Sequence, residues 1–198
     1  MTKIKEEFYQ RSDILLIAQE LLGKVLLTNF QGQLTSGIIV ETEAYEGLTD
    51  KASHAYGGKK TNRTKTMYES GGVAYVYLCY GVHHLFNIVT NKVNIPHAIL
   101  IRAIEPIDGI SIMLERKNKN NDFKLTSGPG SMTKAMGITM SNSGESLMND
   151  LIWLEDQNIN LKNKIISSPR VGIPYAEEDI SNPWRFRIQD NPWTSSPK

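Results

Sequence analysis

A chain of 198 residues with 40% hydrophobic and 22% charged side chains, 15 Gly and 8 Pro is composed like a folded globular protein, which excludes collagen-like, low-complexity and disordered classes. No apolar run approaches the roughly 20 residues of a membrane-spanning helix, and the N-terminus Met-Thr-Lys-Ile-Lys-Glu-Glu lacks the apolar stretch of a signal peptide, so a cytoplasmic location with no membrane partner is expected. The net charge of +1 hides an uneven distribution: residues 1–50 hold 4 basic and 8 acidic groups, residues 51–104 hold 7 and 1, and residues 105–198 hold 11 and 12. On charge alone the basic middle stretch reads first as a solvated lysine-rich loop and second as a footprint for phosphates.

Taken in chain order, Ser12 ahead of residues 13–22 and Gly23 behind them predict a helix with a serine N-cap and a glycine stop. Residues 25–29, the Gln31-Gly32 turn and residues 33–45 predict two strands of a hairpin or meander. Residues 46–60 predict a loop, and Thr61 or Asn62 is placed to cap a short helix through Tyr68 that Ser70-Gly71-Gly72 ends. Residues 73–80 and 82–90, rich in β-branched and aromatic side chains, predict a β-hairpin bending at Tyr80-Gly81. A strand over 98–104, a helix over 107–117 and a polar loop over 118–124 follow. Ser127-Gly-Pro-Gly130 then leads into a short helix that Gly137 stops. The remaining apolar runs, 151–154, 165–166, 171–173 and 186–188, alternate with turn residues. With no repeat and no linker, the expected fold is α+β: a single domain over 1–198 with a curved, mainly antiparallel, open-barrel-like sheet flanked by helices.

The chemistry-bearing residues concentrate between positions 41 and 102. Side chains alternate along a strand, so Glu41, Glu43 and Tyr45 share one face. Buried carboxylates need a salt bridge or a catalytic task; without further context an exposed strand end is the simpler reading of both. His54 alone in its loop reads first as a surface residue. His83 and His84 point to opposite faces, and with Cys79 as the only cysteine no disulfide or thiolate zinc cage can form, so no metal is expected. Tyr75 and Tyr77 share one face and read as packing, whereas Tyr80 has the other parity and stands at the hairpin bend. An aromatic at an exposed tip suits a wedge that fills the stack vacated by an extruded nucleotide.

Glu41-Thr-Glu-Ala-Tyr45, His54, Tyr75-Val-Tyr77, Tyr80-Gly81, Asn87-Ile88, Leu100-Ile-Arg102-Ala-Ile-Glu-Pro106 and Ser127-Gly-Pro129 occur in this order. In this order the chain resembles the 3-methyladenine (alkyladenine) DNA glycosylases, from the first helix through Arg170-Val171-Gly172 to Pro192-Trp193. The resemblance implies that Glu43 is the general base that activates water against C1′ and that Arg102 helps hold Glu43 and that water. The backbone carbonyls of His54 and Val171 supply further water contacts. It implies that Tyr45, His54 and Tyr77 sandwich the flipped base, that Asn87 crowds the exocyclic amine of guanine, and that Tyr80 intercalates in the minor groove. Val82-His83-His84 departs from the vertebrate pattern and leaves insertion to Tyr80. Lys59, Lys60, Thr61 and Arg63 are candidate phosphate contacts.

The implied protein is a cofactor-free, monomeric hydrolase of base-excision repair, associated with the nucleoid and reduced to the catalytic domain. Its partner is double-stranded DNA containing damaged purines: 3-methyladenine, 7-methylguanine and deaminated or etheno purines. No lysine occupies the motif cluster, so no Schiff base and no strand cleavage are expected. Two alternatives are a non-catalytic module that binds damaged or distorted DNA, and a carbohydrate glycosidase using Glu41 and Glu43 as its acid and nucleophile.

Overall fold

The structure, a computed structural model, describes residues 2–118, 123–159, 161 and 164–197. Within the expected polar loop over 118–124, residues 119–122 lie outside the described residues. A short strand β1 (Thr2–Lys3) and one helical turn α1 (Glu6–Tyr9) precede the helix α2 (Ile14–Glu20). Asp13, and not Ser12, is its N-cap: the Asp13 carboxylate accepts from the Leu16 N–H at 2.9 Å, one of the donors a first helical turn leaves open.

Strands β2 (Val25–Phe30) and β3 (Gln33–Tyr45) form a hairpin whose two turn residues, Gln31 and Gly32, both have positive φ, the left-handed geometry that matches strand twist. The expected helix through Tyr68 is a single 3-10 turn, Lys65–Tyr68. Next come β4 (Ala74–Cys79), β5 (His83–Thr90), β6 (His97–Pro106), α3 (Ile110–Lys117) and α4 (Pro129–Met136), followed by β7 (Ile152–Asp156), β8 (Ile165–Ser168) and β9 (Arg185–Ile188). The apolar run 171–173 forms a turn, with Gly172 at φ +78°. Among the described residues no helix is long and apolar enough to cross a membrane.

The strands form one antiparallel sheet in the order β1-β7-β2-β3-β6-β5-β4. On the edge of β3 away from β6, β2 pairs with residues 33–38 and β9 takes over at residues 41–43, with β8 beyond it. The register of β3 against β6 shifts on both sides of Glu41, a bulge that bends the sheet where it branches.

Alternation divides the sheet into two faces. Ala44, Val76, Phe86, Ile88, Ile99 and Ile101 are buried in the main core with α2 and α4. Each fully buried Ile or Phe contributes about 1.5–3 kcal/mol. The opposite parity carries Glu43, Tyr45, Tyr75, Asn87, Leu100 and Arg102. Residues packed over this second face form smaller clusters: Ala55 and Met67 with Tyr75, and Ala52, Ile173 and Ala176 with Tyr45. The cavity lies between this face and its cover.

Candidate active site

Glu41 and Glu43 are both fully buried, contrary to the exposed strand end expected for them. The reason is β9, which arrives from far down the chain and covers the end of β3, pairing Arg187 with Glu41 and Arg185 with Glu43. Glu41 accepts from Arg102 Nε at 2.7 Å, Arg185 Nε at 2.7 Å, Ser195 N–H at 2.6 Å and Ser195 Oγ at 2.8 Å. Three of these donors crowd Oε1 and one is on Oε2, and two of them are guanidinium groups, so Glu41 is built into the protein's own buried ion-pair network. A carboxylate held this way by internal partners speaks against the two-carboxylate sugar hydrolase.

Glu43 is differently placed. Its Oε1 accepts from the Val171 N–H at 2.8 Å and lies 3.2 Å from Arg102 Nη1, and its Oε2 accepts from the Tyr45 hydroxyl at 2.7 Å. Glu43 thus has two hydrogen bonds and one ion pair, and Oε2, with a single donor, keeps an acceptor site open. Burial, with Glu43 beside it, pushes the Tyr45 hydroxyl well above its ordinary pKa, so it remains a donor. Burial opposes the charge of Arg102, but Glu43 and Glu41 outweigh it and raise the guanidinium pKa. Arg102 also donates to Ser195 Oγ at 3.1 Å, so one side chain ties both carboxylates to the C-terminal segment.

Tyr45, Arg102 and Val171, all of which touch Glu43, line a cavity of about 430 Å³. This is within the roughly 300–1,000 Å³ range of small-ligand sites. His54, Arg63, Tyr75, Tyr77, Tyr80 and Asn87 also line it, so the structure brings every implied base contact to one place. His54 and Tyr77 meet edge to face, ring centroids 4.6 Å apart at 82°. Asn87 is buried, and its amide nitrogen donates to the carbonyls of Tyr75 at 3.1 Å and Leu85 at 3.4 Å. Two acceptors on that end fix which way the amide points.

His54 is half-buried, not a surface residue. Its Nε2 lies 3.2 Å from Arg63 Nη2 and its Nδ1 lies 2.9 Å from the Tyr75 hydroxyl. A guanidinium only donates, so Nε2 carries the lone pair and Nδ1–H donates to Tyr75. Burial, reinforced by the Arg63 charge, lowers the His54 pKa to about 4. The imidazole is neutral at physiological pH.

Tyr80 stands at the hairpin bend, 91% exposed and at φ +50°, with Gly81 at φ +71° beside it and the 72% exposed Val82 after it. A left-handed backbone costs a non-glycine residue roughly 1–2 kcal/mol, and no packing contact explains an aromatic at this position. Of the basic stretch, Lys59, Lys60 and Thr61 are exposed, while Arg63 turns over the Tyr77 ring, 4.7 Å from its centroid.

Residue-by-residue reading missed what holds Val171 in place. Arg170 is buried between the rings of Tyr45 and Trp184, at 4.8 and 5.0 Å, paired with Asp50 and donating to the Ala44 carbonyl at 2.9 Å. In the sequence Arg170 appears only in the Arg170-Val171-Gly172 stretch of the resemblance and Arg185 only as a cation ahead of the run 186–188, with nothing to show the buried partners of either.

The model of the methylpurine-DNA glycosylase family matches residues 7–192. A Chlamydia felis protein named provisionally as a 3-methyladenine DNA glycosylase is 48% identical over 93% of this chain and 95% of its own. Proteins with the same provisional name are 47% identical in Chlamydia abortus, over 93% of this chain and 97% of theirs, and 46% identical in Bacillus cereus, over 95% and 96%. A match this long takes in both carboxylates, the aromatic cavity and the arginines that build its floor: the chain belongs to the methylpurine-DNA glycosylase family.

Proposed function

We propose that the protein is a monofunctional DNA glycosylase that acts as a monomer in the cytoplasm, on the nucleoid, with the whole chain as its catalytic unit. It extrudes alkylated purines such as 3-methyladenine and 7-methylguanine from duplex DNA and hydrolyses the N-glycosidic bond, leaving an abasic site. The observation that carries this reading is Glu43: a buried carboxylate with one acceptor site left, tied by all three of its partners to the wall of an aromatic cavity.

In this reading water held at Oε2 of Glu43, by Arg102 and by the carbonyls of His54 and Val171 attacks C1′. Glu43 takes its proton and its charge offsets the positive charge that develops on the sugar. The base lies among Tyr45, His54 and Tyr77. A cationic alkylpurine gains about 0.5–2 kcal/mol from electron-rich ring faces, and the neutral His54 adds no repulsion. Asn87 crowds the amine of undamaged guanine, and Tyr80 fills the gap left in the stack. A cationic base leaves without an acid, and His54, whose pKa is lowered to about 4, is not in its acidic imidazolium form at neutral pH. Deaminated and etheno purines, which are neutral, are therefore expected to leave more slowly. No lysine lines the cavity among the described residues, which favours water over a Schiff base.

A module that only bound damaged DNA would gain nothing from the buried charge of Glu43. The test is base release from oligonucleotide duplexes carrying each lesion in turn. Release of 3-methyladenine without strand scission, faster than release of hypoxanthine, supports the reading; no release from any duplex contradicts it.

A further inference from the structure

Next to the carboxylate centre, three polar atoms are shut off from solvent without a hydrogen-bond partner: Nε of Arg170, Nε of Arg187 and Oγ of Ser168. All three residues line a second cavity, of about 430 Å³, together with Arg185, Val171 and Gly172. Native proteins pair nearly all such atoms, so a cluster of unpaired ones indicates a missing partner. Arg170 is 5% and Arg185 2% exposed, and each has its carboxylate, Asp50 and Glu41. Arg187 forms no ion pair among the described residues, so the cavity carries one surplus positive charge. Burial and the adjacent Arg185 lower the Arg187 pKa, and Glu41, already engaged by Arg102 and Arg185, offsets them only in part.

Position limits what can neutralise it. Arg187 is paired with Glu41 and Arg185 with Glu43 across β3 and β9, and alternation puts both arginines on the sheet face that carries the carboxylates. Val171 and Gly172 line both cavities, so only this short segment separates them. Around Gly172 the space a side chain would fill is empty. A ligand that joins the two cavities holds a sugar at Glu43 and one negative charge with several acceptor oxygens next to it. A phosphodiester strand has this layout.

We propose that the cavity of Arg170, Arg185 and Arg187 seats a backbone phosphodiester of the DNA strand whose extruded nucleotide lies at Glu43. The proposal rests on the glycosylase reading and adds a phosphate seat to the candidate contacts Lys59 and Lys60. Holding the backbone there fixes the sugar against the carboxylate, a positioning role.

The experiment measures binding of the lesion duplex over a salt series for the wild type and Arg187→Gln, with melting curves to confirm that the variant folds. Loss of one phosphate contact lowers affinity about tenfold and makes the slope of log K against log salt shallower by about 0.9. The same wild-type protein is scanned with duplexes that carry one neutral methylphosphonate at each position flanking the lesion. One position loses about tenfold in affinity, and Arg187→Gln is insensitive at that position. The scan needs no variant to fold, and a flat scan overturns the proposal. Base release by the wild type alongside unchanged affinity and slope in Arg187→Gln overturns the seat alone; no base release by the wild type overturns the glycosylase reading. Inorganic phosphate at constant ionic strength separates the remaining source. If it raises the melting temperature of the wild type only, while DNA binding is the same in both proteins, the cavity holds a free ion and the proposal fails.

Discussion

At the floor of the cavity Glu41 is fully buried under four donors and Glu43 under two donors and the Arg102 ion pair, whereas at the rim Tyr80 is 91% exposed on a left-handed turn. The floor is fixed by contacts the protein makes with itself, through Arg102, Arg185, Arg170 and Ser195. The rim makes almost none and is completed by what binds to it. Such a division suits an enzyme whose reacting geometry must be set beforehand, while the partner it grips differs from site to site. Within the floor, Glu41 is held by two arginines and by both donors of Ser195, whereas the partners of Glu43 are Tyr45, Arg102 and Val171, all on the wall of the aromatic cavity.

The contrast is broken most severely at Glu41. Glu41→Ala leaves Arg185 buried without its counter-charge and Arg102 with Glu43 alone, and is expected to cost about 3–5 kcal/mol in chemical denaturation. A loss below about 1 kcal/mol would mean that the network does not hold the floor. His54 gives the next largest effect, through pH. Its folded pKa is about 4 against 6.5 for an exposed imidazole. Between these values the unfolded chain binds more protons, so His54 subtracts stability as pH falls through that window and contributes a constant amount above it. Relative to the wild type, His54→Asn should gain on the order of 2 kcal/mol between neutral pH and pH 4. Parallel stability curves would contradict a neutral, buried His54.

Rim effects should be smaller and confined to DNA. Tyr80→Ser is expected to weaken binding to a lesion duplex about tenfold, the scale of one stacked base, and to leave hydrolysis of an unpaired substrate unchanged. Equal losses on both substrates would move Tyr80 from the wedge to the pocket. Arg63 gives the smallest effect. It covers the Tyr77 ring with a positive charge where a cationic base is to lie, and it is exposed, beside His54 and Tyr75. Arg63→Ala should raise the preference for 3-methyladenine over hypoxanthine about threefold, a fraction of the strength of one cation–π contact. A fall in that preference would show that Arg63 helps to seat the base.

Much of the rim and the pocket could be read from local pattern. Period-2 alternation placed Tyr75 with Tyr77 and set Tyr80 apart, and Gly81 marked the bend; the helix capped by Gly137 followed from its stop signal, while α2 ends at Glu20, short of the expected stop at Gly23. The resemblance supplied the roles of Glu43, Arg102 and Asn87. The floor was not legible, because its contacts span the chain: β9 reaches β3 across more than a hundred residues, and Ser195 caps Glu41 from the C-terminal segment. Alternation gave the right face for Glu41 and Glu43 but not its burial, since the strand that covers it is only 4 residues long and carries two arginines. The cap of α2 fell one residue later than expected, at Asp13 and not Ser12, because both are good N-caps and only the backbone decides which one precedes the first helical turn.

The central claim is that Glu43, with its one remaining acceptor site, drives the chemistry. Single-turnover release of 3-methyladenine from a lesion duplex by Glu43→Gln, with binding of the same duplex measured in parallel, tests it most directly. The account predicts a rate lower by about 10³-fold, the contribution of a positioned general base, with affinity within about threefold of the wild type. A Glu43→Gln protein that releases the base at the wild-type rate would contradict it.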